Sequence, residues 1–175
     1  FVSAPENVAW LLNIRGSDNP TSPIPNSRLI IGKNKQLLLI AKKGCVQKII
    51  NQKKIKRDQI IDFDQLKESI NKLKGTNFII DHHSCSIFAE RVIKSKFKIL
   101  DIKDPIYKLK SIKNSSEIKH MIEAHKKDGL ALTRFIYWIK NINKKRLSEV
   151  DAQIKLEKFR KMNKDYLFPS FNTIA

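Results

Sequence analysis

The chain has 175 residues, 41% of them hydrophobic, and carries a formal net charge of +18 at pH 7. This length can bury a hydrophobic core, and no uninterrupted apolar run reaches the ~20 residues of a membrane-spanning helix, so we expect no membrane partner. The charge alone does not indicate nucleic-acid binding, because 28 of the 35 basic residues are lysines that are spread over every predicted element without interleaved aromatic side chains.

The N-terminal part of the sequence predicts a strand, a loop and a hairpin. Aromatic and branched residues make 8–14 typical of a strand. Gly16 permits a sharp turn after it, and the three prolines within 17–26 favour an extended loop. Two apolar runs at 28–31 and 36–41 are joined by 32–35, a segment typical of a hairpin turn.

Helices and strands alternate over the next sixty residues. The predicted helices are 46–54, 64–74 and 84–94, and the predicted strands are 59–63, 77–81 and 98–102. Asp64 is a candidate cap for the second of these helices, Gly75 ends it, and Asp81 or Ser84 would cap the third. The densest basic run, 53–57, is interpreted as a solvated connection. This alternation predicts a mixed α/β layer with a partly parallel sheet.

The pattern changes near Asp104, and long helices follow. Asn114 and Glu117 form a capping-box pattern ahead of apolar residues at helical spacing, which predicts a helix of about 25 residues. A second helix is predicted from Ser148, with Asp151 in its first turn. We therefore place a domain boundary within 104–114.

One short segment invites a metal-binding interpretation. His82, His83 and Cys85 are ligand types, but their spacing matches no standard zinc signature, and a helix cap explains the local polarity better. Together with Cys45, Cys85 makes only two cysteines, which indicates a reducing compartment rather than a disulfide framework.

Two further pairs share one face of the long predicted helix, His125 with Asp128 and His120 with Glu123. Each pair could supply two metal ligands. We favour the alternative, in which the carboxylates are surface charges beside packed histidines.

Four motifs resemble the Xaa-Pro aminopeptidase (aminopeptidase P) family. They are WLLNIRGSD at 10–18 with Pro23, KSIKN at 110–114, AHKKDG at 124–129, and EKFR at 157–160 followed by PSFNTI at 169–174. Their order and spacing also fit, so the resemblance covers nearly the whole chain. The chain resembles an internal fragment of such an enzyme.

The resemblance implies a fold and an activity. It implies an α/β fold, with a creatinase-like mixed sheet and flanking helices in 1–108, followed in 109–175 by the first two helices of an incomplete pita-bread domain. The implied parent is a metallopeptidase that releases the residue before a proline, with two Mn²⁺ ions. In the family the five metal ligands follow the Phe-x-Thr-Ile motif, so we expect no metal and no activity in this chain alone.

The resemblance also suggests that Arg15, Trp10 and Asp18 lie close to the substrate. In related enzymes the N-terminal module of one subunit reaches toward the partner's active site, where Arg15 could bind a carboxylate. Alternatively, Arg15 and Asp18 only fasten the turn, and Trp10 belongs to the core rather than to a contact surface. The implied partners are the rest of the catalytic domain, a peptide substrate and a second subunit, in the cytoplasm.

Two functions of other classes stay open. One is a stand-alone creatinase-like binding module that lacks catalysis. The other is a basic nucleic-acid-binding protein, which the net charge suggests and the scattered lysines disfavour.

Overall fold

The structure is a computed structural model that describes residues 1–52, 55–142, 147–171 and 173. The chain divides into two compact units, Phe1–Ser111 and Ile112–Ala175. The boundary that we placed between 108 and 109 falls inside the last helix of the first unit.

The first unit is an α/β structure, as the sequence predicts. Its helices are α1 (Pro5–Leu11), α2 (Gln47–Asn51), α3 (Leu66–Lys72), α4 (Ile87–Lys94) and α5 (Ile106–Ser111). Its strands are β1 (Arg28–Ile31), β2 (Leu37–Ile40), β3 (Ile60–Ile61), β4 (Asn77–Ile80) and β5 (Lys98–Asp101). The predicted hairpin is confirmed, since β1 pairs with β2 antiparallel. Strand β3 lies parallel to β2, and β4 and β5 form a separate parallel pair.

Alternation along the strands divides the buried side chains between two cores. Leu29 and Leu39 point to one face, and their neighbours Ile30 and Ile40 point to the other. The first core also contains Val8 and Ala9 of α1 and Ile106 of α5. Val46, which directly precedes α2, belongs to it as well. The second core contains residues of α3 and α4, including Leu66, Ile70, Val92 and Ile93.

The predicted strand at 8–14 is wrong, because this segment is mostly the helix α1. Pro5 occupies the first helical position, where its fixed φ favours the helix and its missing N–H costs nothing. Val8 and Ala9 are buried, and Leu12 packs against them one turn later. Asn13 then adopts a positive φ of 47°, the left-handed conformation that commonly ends a helix.

Two helix N-caps differ from the predicted ones. The chain enters α3 through a short 3₁₀ turn, Phe63–Gln65, that is capped by Asp62 rather than by Asp64. Helix α4 is capped by Ser86, whose side chain accepts a hydrogen bond from the N–H of Ala89, rather than by Asp81 or Ser84. Of the basic run at 53–57, residues 53 and 54 lie outside the described residues.

The second unit contains two helices, α6 (Ser115–Asn141) and α7 (Glu149–Lys161), within the part of the chain that is described. The predicted capping box of Asn114 with Glu117 is confirmed, and so is the predicted start of the second helix at Ser148, which forms a further capping box with Asp151. The two helices pack against each other. Among the described residues of α6 and α7, only Ala131 is buried.

Candidate functional site

The loop that follows α1, residues 13–26, is ordered by contacts within itself, and we call it the clasp loop. Gly16 lies against Pro25 so closely that a Cβ atom on Gly16 would stand 2.7 Å from the Pro25 Cβ. The Gly16 N–H also donates to the Pro23 carbonyl at 2.9 Å. A glycine is therefore required at this crossing for a steric reason.

Arg15 lies exposed at the start of the clasp loop. Its Nη1 donates to the carbonyl oxygens of Ile14 at 2.8 Å and Ala9 at 3.5 Å. Within the described residues no carboxylate lies within ion-pair distance of this guanidinium. The remaining donors of the planar fork can therefore meet an anionic group from outside the first unit.

The other two predicted site residues have different surroundings. Asp18 Oδ2 accepts a hydrogen bond from the Asn26 N–H at 2.7 Å, so its carboxylate closes the clasp loop. Trp10 is partly buried and packs against the first core. Asp18 therefore bonds to the backbone of the loop and not to Arg15. A contact of Arg15, Trp10 or Asp18 with a substrate stays a prediction.

A buried polar cluster, which the sequence did not reveal, connects α1 to the end of β4 and to α5. Asn7 is fully buried, and its Nδ2 donates to Asp104 Oδ2 at 2.7 Å. Asp81 Oδ2 accepts from the Asp104 N–H at 2.8 Å, and Asp104 Oδ1 accepts from the Ile106 N–H at 2.9 Å. Asn7 Oδ1 has no hydrogen-bond partner among the described residues. The sequence feature that could have revealed this cluster is Asn7, a polar residue at the start of the otherwise apolar stretch 7–12.

A second contact holds α5 to α1. Tyr107 Oη donates to Glu6 Oε1 at 3.1 Å. Burial and then this bond to a carboxylate raise the pKa of Tyr107 to about 12. The phenol therefore remains a neutral donor throughout the physiological range.

His82 lies between two carboxylates at the end of β4. Its Nδ1 is 3.1 Å from Asp101 Oδ2, and its Nε2 is 3.5 Å from Glu90 Oε1. Its backbone N–H donates to Asp101 Oδ1 at 3.2 Å, and this bond is the main cause that lowers the pKa of the Asp101 carboxyl.

The described residues do not fit a metal centre. They contain no group of three or more His, Cys, Asp and Glu side chains arranged to hold a metal ion. In the segment at 82–85, His82 already contacts the carboxylate of Asp101. Burial raises the pKa of the Cys85 thiol, and a raised pKa disfavours the thiolate form that binds metal ions.

Two of the sequence motifs meet in the second unit. Arg160 of the EKFR motif makes a bidentate ion pair with Asp128 of the AHKKDG motif, at 2.6 and 3.2 Å, and this raises the pKa of Arg160. The adjacent Lys127 pairs with Asp165. The expectation of a packed histidine is wrong, because His125 is exposed and its Nδ1 contacts the Met121 carbonyl of its own helix.

An open apolar groove of about 770 Å³ runs between α6 and α7. Tyr137, Trp138, Phe159 and Met162 line it. Lys155 Nζ lies 5.4 Å from the Trp138 ring centre and 5.1 Å from that of Phe159. Exposed apolar surface of this kind marks a binding or packing face.

Among the described helices none is long and apolar enough to cross a membrane.

The chain matches the family model described as Creatinase/Prolidase N-terminal domain over residues 1–117. Similar curated proteins include the Xaa-Pro aminopeptidase ApepP of Drosophila melanogaster, which is 31% identical and is aligned over 99% of this chain and 29% of its own length. The probable Xaa-Pro aminopeptidase P of Sordaria macrospora is 28% identical, over 99% of this chain and 30% of that protein. Aminopeptidase P2 of Arabidopsis thaliana is 27% identical, over 99% of this chain and 29% of that protein.

A solved structure shows a similar fold. The Xaa-Pro dipeptidase from Bacillus anthracis superposes with a TM-score of 0.63 and 17% identity, covering 92% of this chain and 43% of that one. The chain thus spans less than a third of the length of the three curated relatives.

Proposed function

Because the chain belongs to the creatinase/prolidase N-terminal domain family, we propose that it is the non-catalytic scaffold of an Xaa-Pro aminopeptidase. The parent enzyme would hydrolyse the bond between an N-terminal residue and a following proline. The observation that carries this proposal is similarity to Xaa-Pro aminopeptidases from one end of the chain to the other, over 99% of its residues.

The metal ions of the parent, proposed to be two Mn²⁺, would be held by polypeptide outside this chain. The donor chemistry of the described residues supports this assignment, because they offer no group of three ligands. The scaffold would instead wall the active site and limit access to short peptides.

The groove between α6 and α7 supports a partner for the second unit. We propose that the remainder of the catalytic domain packs on its aromatic and aliphatic side chains. The length of the relatives, more than three times the span matched here, supplies the polypeptide for this contact. Exposed Arg15 is proposed to face the substrate or the active site of a partner subunit in a homodimer, and the two free cysteines support a cytoplasmic setting.

Reconstitution tests this function. The purified chain with Mn²⁺ should not hydrolyse an Xaa-Pro peptide, whereas the chain fused to the catalytic remainder of a relative should do so. The remainder alone, with the same Mn²⁺, is the control. Turnover by the isolated chain, or equal turnover by the remainder without it, would contradict the scaffold role.

The net charge of +18 keeps a nucleic-acid-binding function as the second candidate. DNA binding measured over a range of salt concentrations separates the two. Tight, sequence-selective binding at ~150 mM salt would favour the second candidate, since non-specific binding of a basic protein weakens steeply with salt.

A further inference from the structure

A small cavity of about 160 Å³ lies in the first unit where several strands end. Two of its lining residues, Phe63 and Leu66, follow β3, and Ser86 follows β4 and caps α4. Arg28 also lines it, and this first residue of β1 pairs with Ile40, the last residue of β2. We call this cavity the edge pocket, because it lies at the carboxyl ends of β2, β3 and β4.

The location of the edge pocket is one that favours ligands. In open α/β sheets, small molecules bind in crevices outside the carboxyl ends of the strands. Helix α4 (Ile87–Lys94) begins beside the pocket, and the partial positive charge at the N-terminus of a helix favours a negatively charged group. The position of the pocket therefore favours an anionic ligand, and the side chains around it supply the specific contacts.

Arg28 brings a positive charge to the edge pocket. Its Nη1 donates to the Ser27 carbonyl at 2.8 Å and to Asn26 Oδ1 at 3.2 Å. Its Nε and Nη2 make no hydrogen bond to the described residues, and none of the ion pairs in the described ranges includes Arg28. These two nitrogens are free to donate side by side to one carboxylate.

The surroundings of Arg28 leave its charge incompletely compensated. Burial lowers the pKa of Arg28, and the negative charge of Glu6 opposes this shift only in part. Glu6 itself accepts a hydrogen bond from Tyr107 Oη. A half-buried guanidinium without a paired carboxylate is stabilised when an anion binds next to it.

The rest of the edge pocket is largely apolar. Ile40, Leu66 and Ala89 line it and are buried, whereas Phe63 is 37% exposed and therefore lies at the opening. An apolar cavity of about 150 Å³ is large enough to bind benzene. The edge pocket thus has room for one ring or one branched aliphatic group beside the guanidinium.

We propose that the edge pocket binds a small monocarboxylate whose body is a single ring or a branched aliphatic group. The carboxylate accepts hydrogen bonds from Nε and Nη2 of Arg28, and the apolar body packs against Leu66 and Phe63. A free acid and the C-terminal residue of a peptide share this chemistry. The inference does not depend on the proposed peptidase function.

A pair of ligands that differ in charge tests the proposal. The ¹⁵N-labelled chain is titrated with phenylacetate and, as the matched neutral ligand, with phenylacetamide, and binding is read from the Ala89 amide and the Arg28 Nε–H signals. We expect phenylacetate to bind roughly tenfold more tightly or better, because hydrogen bonds between ionised partners are stronger than those of a neutral amide. Acetyl-alanyl-phenylalanine is titrated in parallel. Tighter binding of this peptide identifies a peptide C-terminus as the ligand, and tighter binding of phenylacetate identifies a free acid.

Three variants locate the binding site. Arg28→Gln should reduce the affinity for phenylacetate to that for phenylacetamide. Phe63→Glu places a carboxylate at the opening and should weaken phenylacetate binding by roughly tenfold, since like charges repel. Ile87→Glu is its control, because Ile87 is 69% exposed on the first turn of α4 and does not line the pocket. We expect the control to lose less than about threefold, because solvent and salt screen a charge at the surface. Both Phe63 and Ile87 are exposed, so this pair tests the site even if Arg28→Gln does not fold.

Three results would overturn the proposal. The first is equal affinity for phenylacetate and phenylacetamide. The second is an equal loss of phenylacetate binding in Phe63→Glu and Ile87→Glu. The third is the absence of a saturable shift at Ala89 and Arg28 up to ~50 mM phenylacetate, since even weak ligands of this size bind in the millimolar range.

Discussion

Arg15 and Asp18 are three residues apart, yet they have different roles in the clasp loop. The Asp18 carboxylate is used by the loop itself, whereas most donors of the exposed Arg15 guanidinium are not. If Arg15 binds a substrate or partner carboxylate, Arg15→Ala in the full-length parent should lower kcat/KM by roughly 10- to 100-fold, the loss of one charged hydrogen-bond pair. Thermal unfolding should change little. Arg91→Ala, an exposed arginine on α4, is the control, and a lower Tm with unchanged kinetics would make Arg15 structural.

Asn7 shows how one buried amide can be required for stability. Asn7→Asp removes the donor to Asp104 Oδ2 and places a second carboxylate 2.7 Å from the first. We expect a loss of about 3 kcal/mol in urea unfolding at pH 7. Asn71→Asp makes the same change at an exposed position and should cost less than ~0.5 kcal/mol.

The sign of the pH dependence adds a check on Asn7→Asp. The new carboxyl is disfavoured as an anion, so its folded pKa lies above its unfolded pKa, and its penalty grows as the pH rises above ~4. The deficit should therefore shrink toward pH 4. A deficit that does not depend on pH would mean that lost packing, and not charge, is responsible.

The contact between His82 and Asp101 allows the backbone N–H and the imidazole of His82 to be compared as causes of the lowered pKa of Asp101. The backbone N–H of His82 is the first cause of the lowered pKa of Asp101, and the imidazole contributes less. In His82→Ala the Asp101 pKa should rise but stay below its ordinary value, as read from carboxyl chemical shifts during an NMR titration. Because the folded pKa is depressed, the stability from this pair is present above the unfolded pKa and is lost as the pH falls through the folded one. Return of Asp101 to its ordinary pKa would assign the effect to the ring.

At the scale of elements, the Asp128–Arg160 pair is the main polar contact between α6 and α7. Its side chains are 52% and 33% exposed, so we expect a coupling energy of about 0.5–1 kcal/mol in a double-mutant cycle with alanine. The Glu123–Lys126 pair within α6 is the control, with an expected coupling of about 0.3 kcal/mol. Arg160→Lys should lose most of the coupling, since Lys lacks the bidentate fork. Equal coupling in both pairs would contradict a special role for this contact.

The elements that the sequence predicted correctly are those whose signals are local. The caps of α6 and α7 and the β1–β2 hairpin depend on residues within a few positions of each other. Helix α1 was missed because Val8 and Trp10 favour strands individually, whereas the helix start signal at Pro5 and burial against the first core decided the outcome. The Asn7–Asp104 bond spans 97 positions and Asp128–Arg160 spans 32, so no local pattern announces either.

At the scale of the whole molecule, the second unit is the part that most needs a partner. Tyr137 is 73% exposed beside the groove, and Leu167 and Phe171 are 77% and 65% exposed after α7. Apolar surface of this extent costs free energy in water and favours association. The catalytic remainder proposed as the partner would remove this surface from water.

A pair of aromatic substitutions tests that partner. Tyr137→Lys places a charge on the groove face, and Phe88→Lys makes the same kind of change at a residue of the first unit that is 64% exposed. When the catalytic remainder is supplied as a separate polypeptide, Tyr137→Lys should weaken its binding by roughly tenfold or more, because a buried ammonium would lack a partner. Phe88→Lys should bind normally. Trp138 fluorescence should shift to the blue on binding to the unaltered chain, since the ring leaves water. Unchanged fluorescence on binding, together with equal affinities of the two variants, would place the contact elsewhere than the groove.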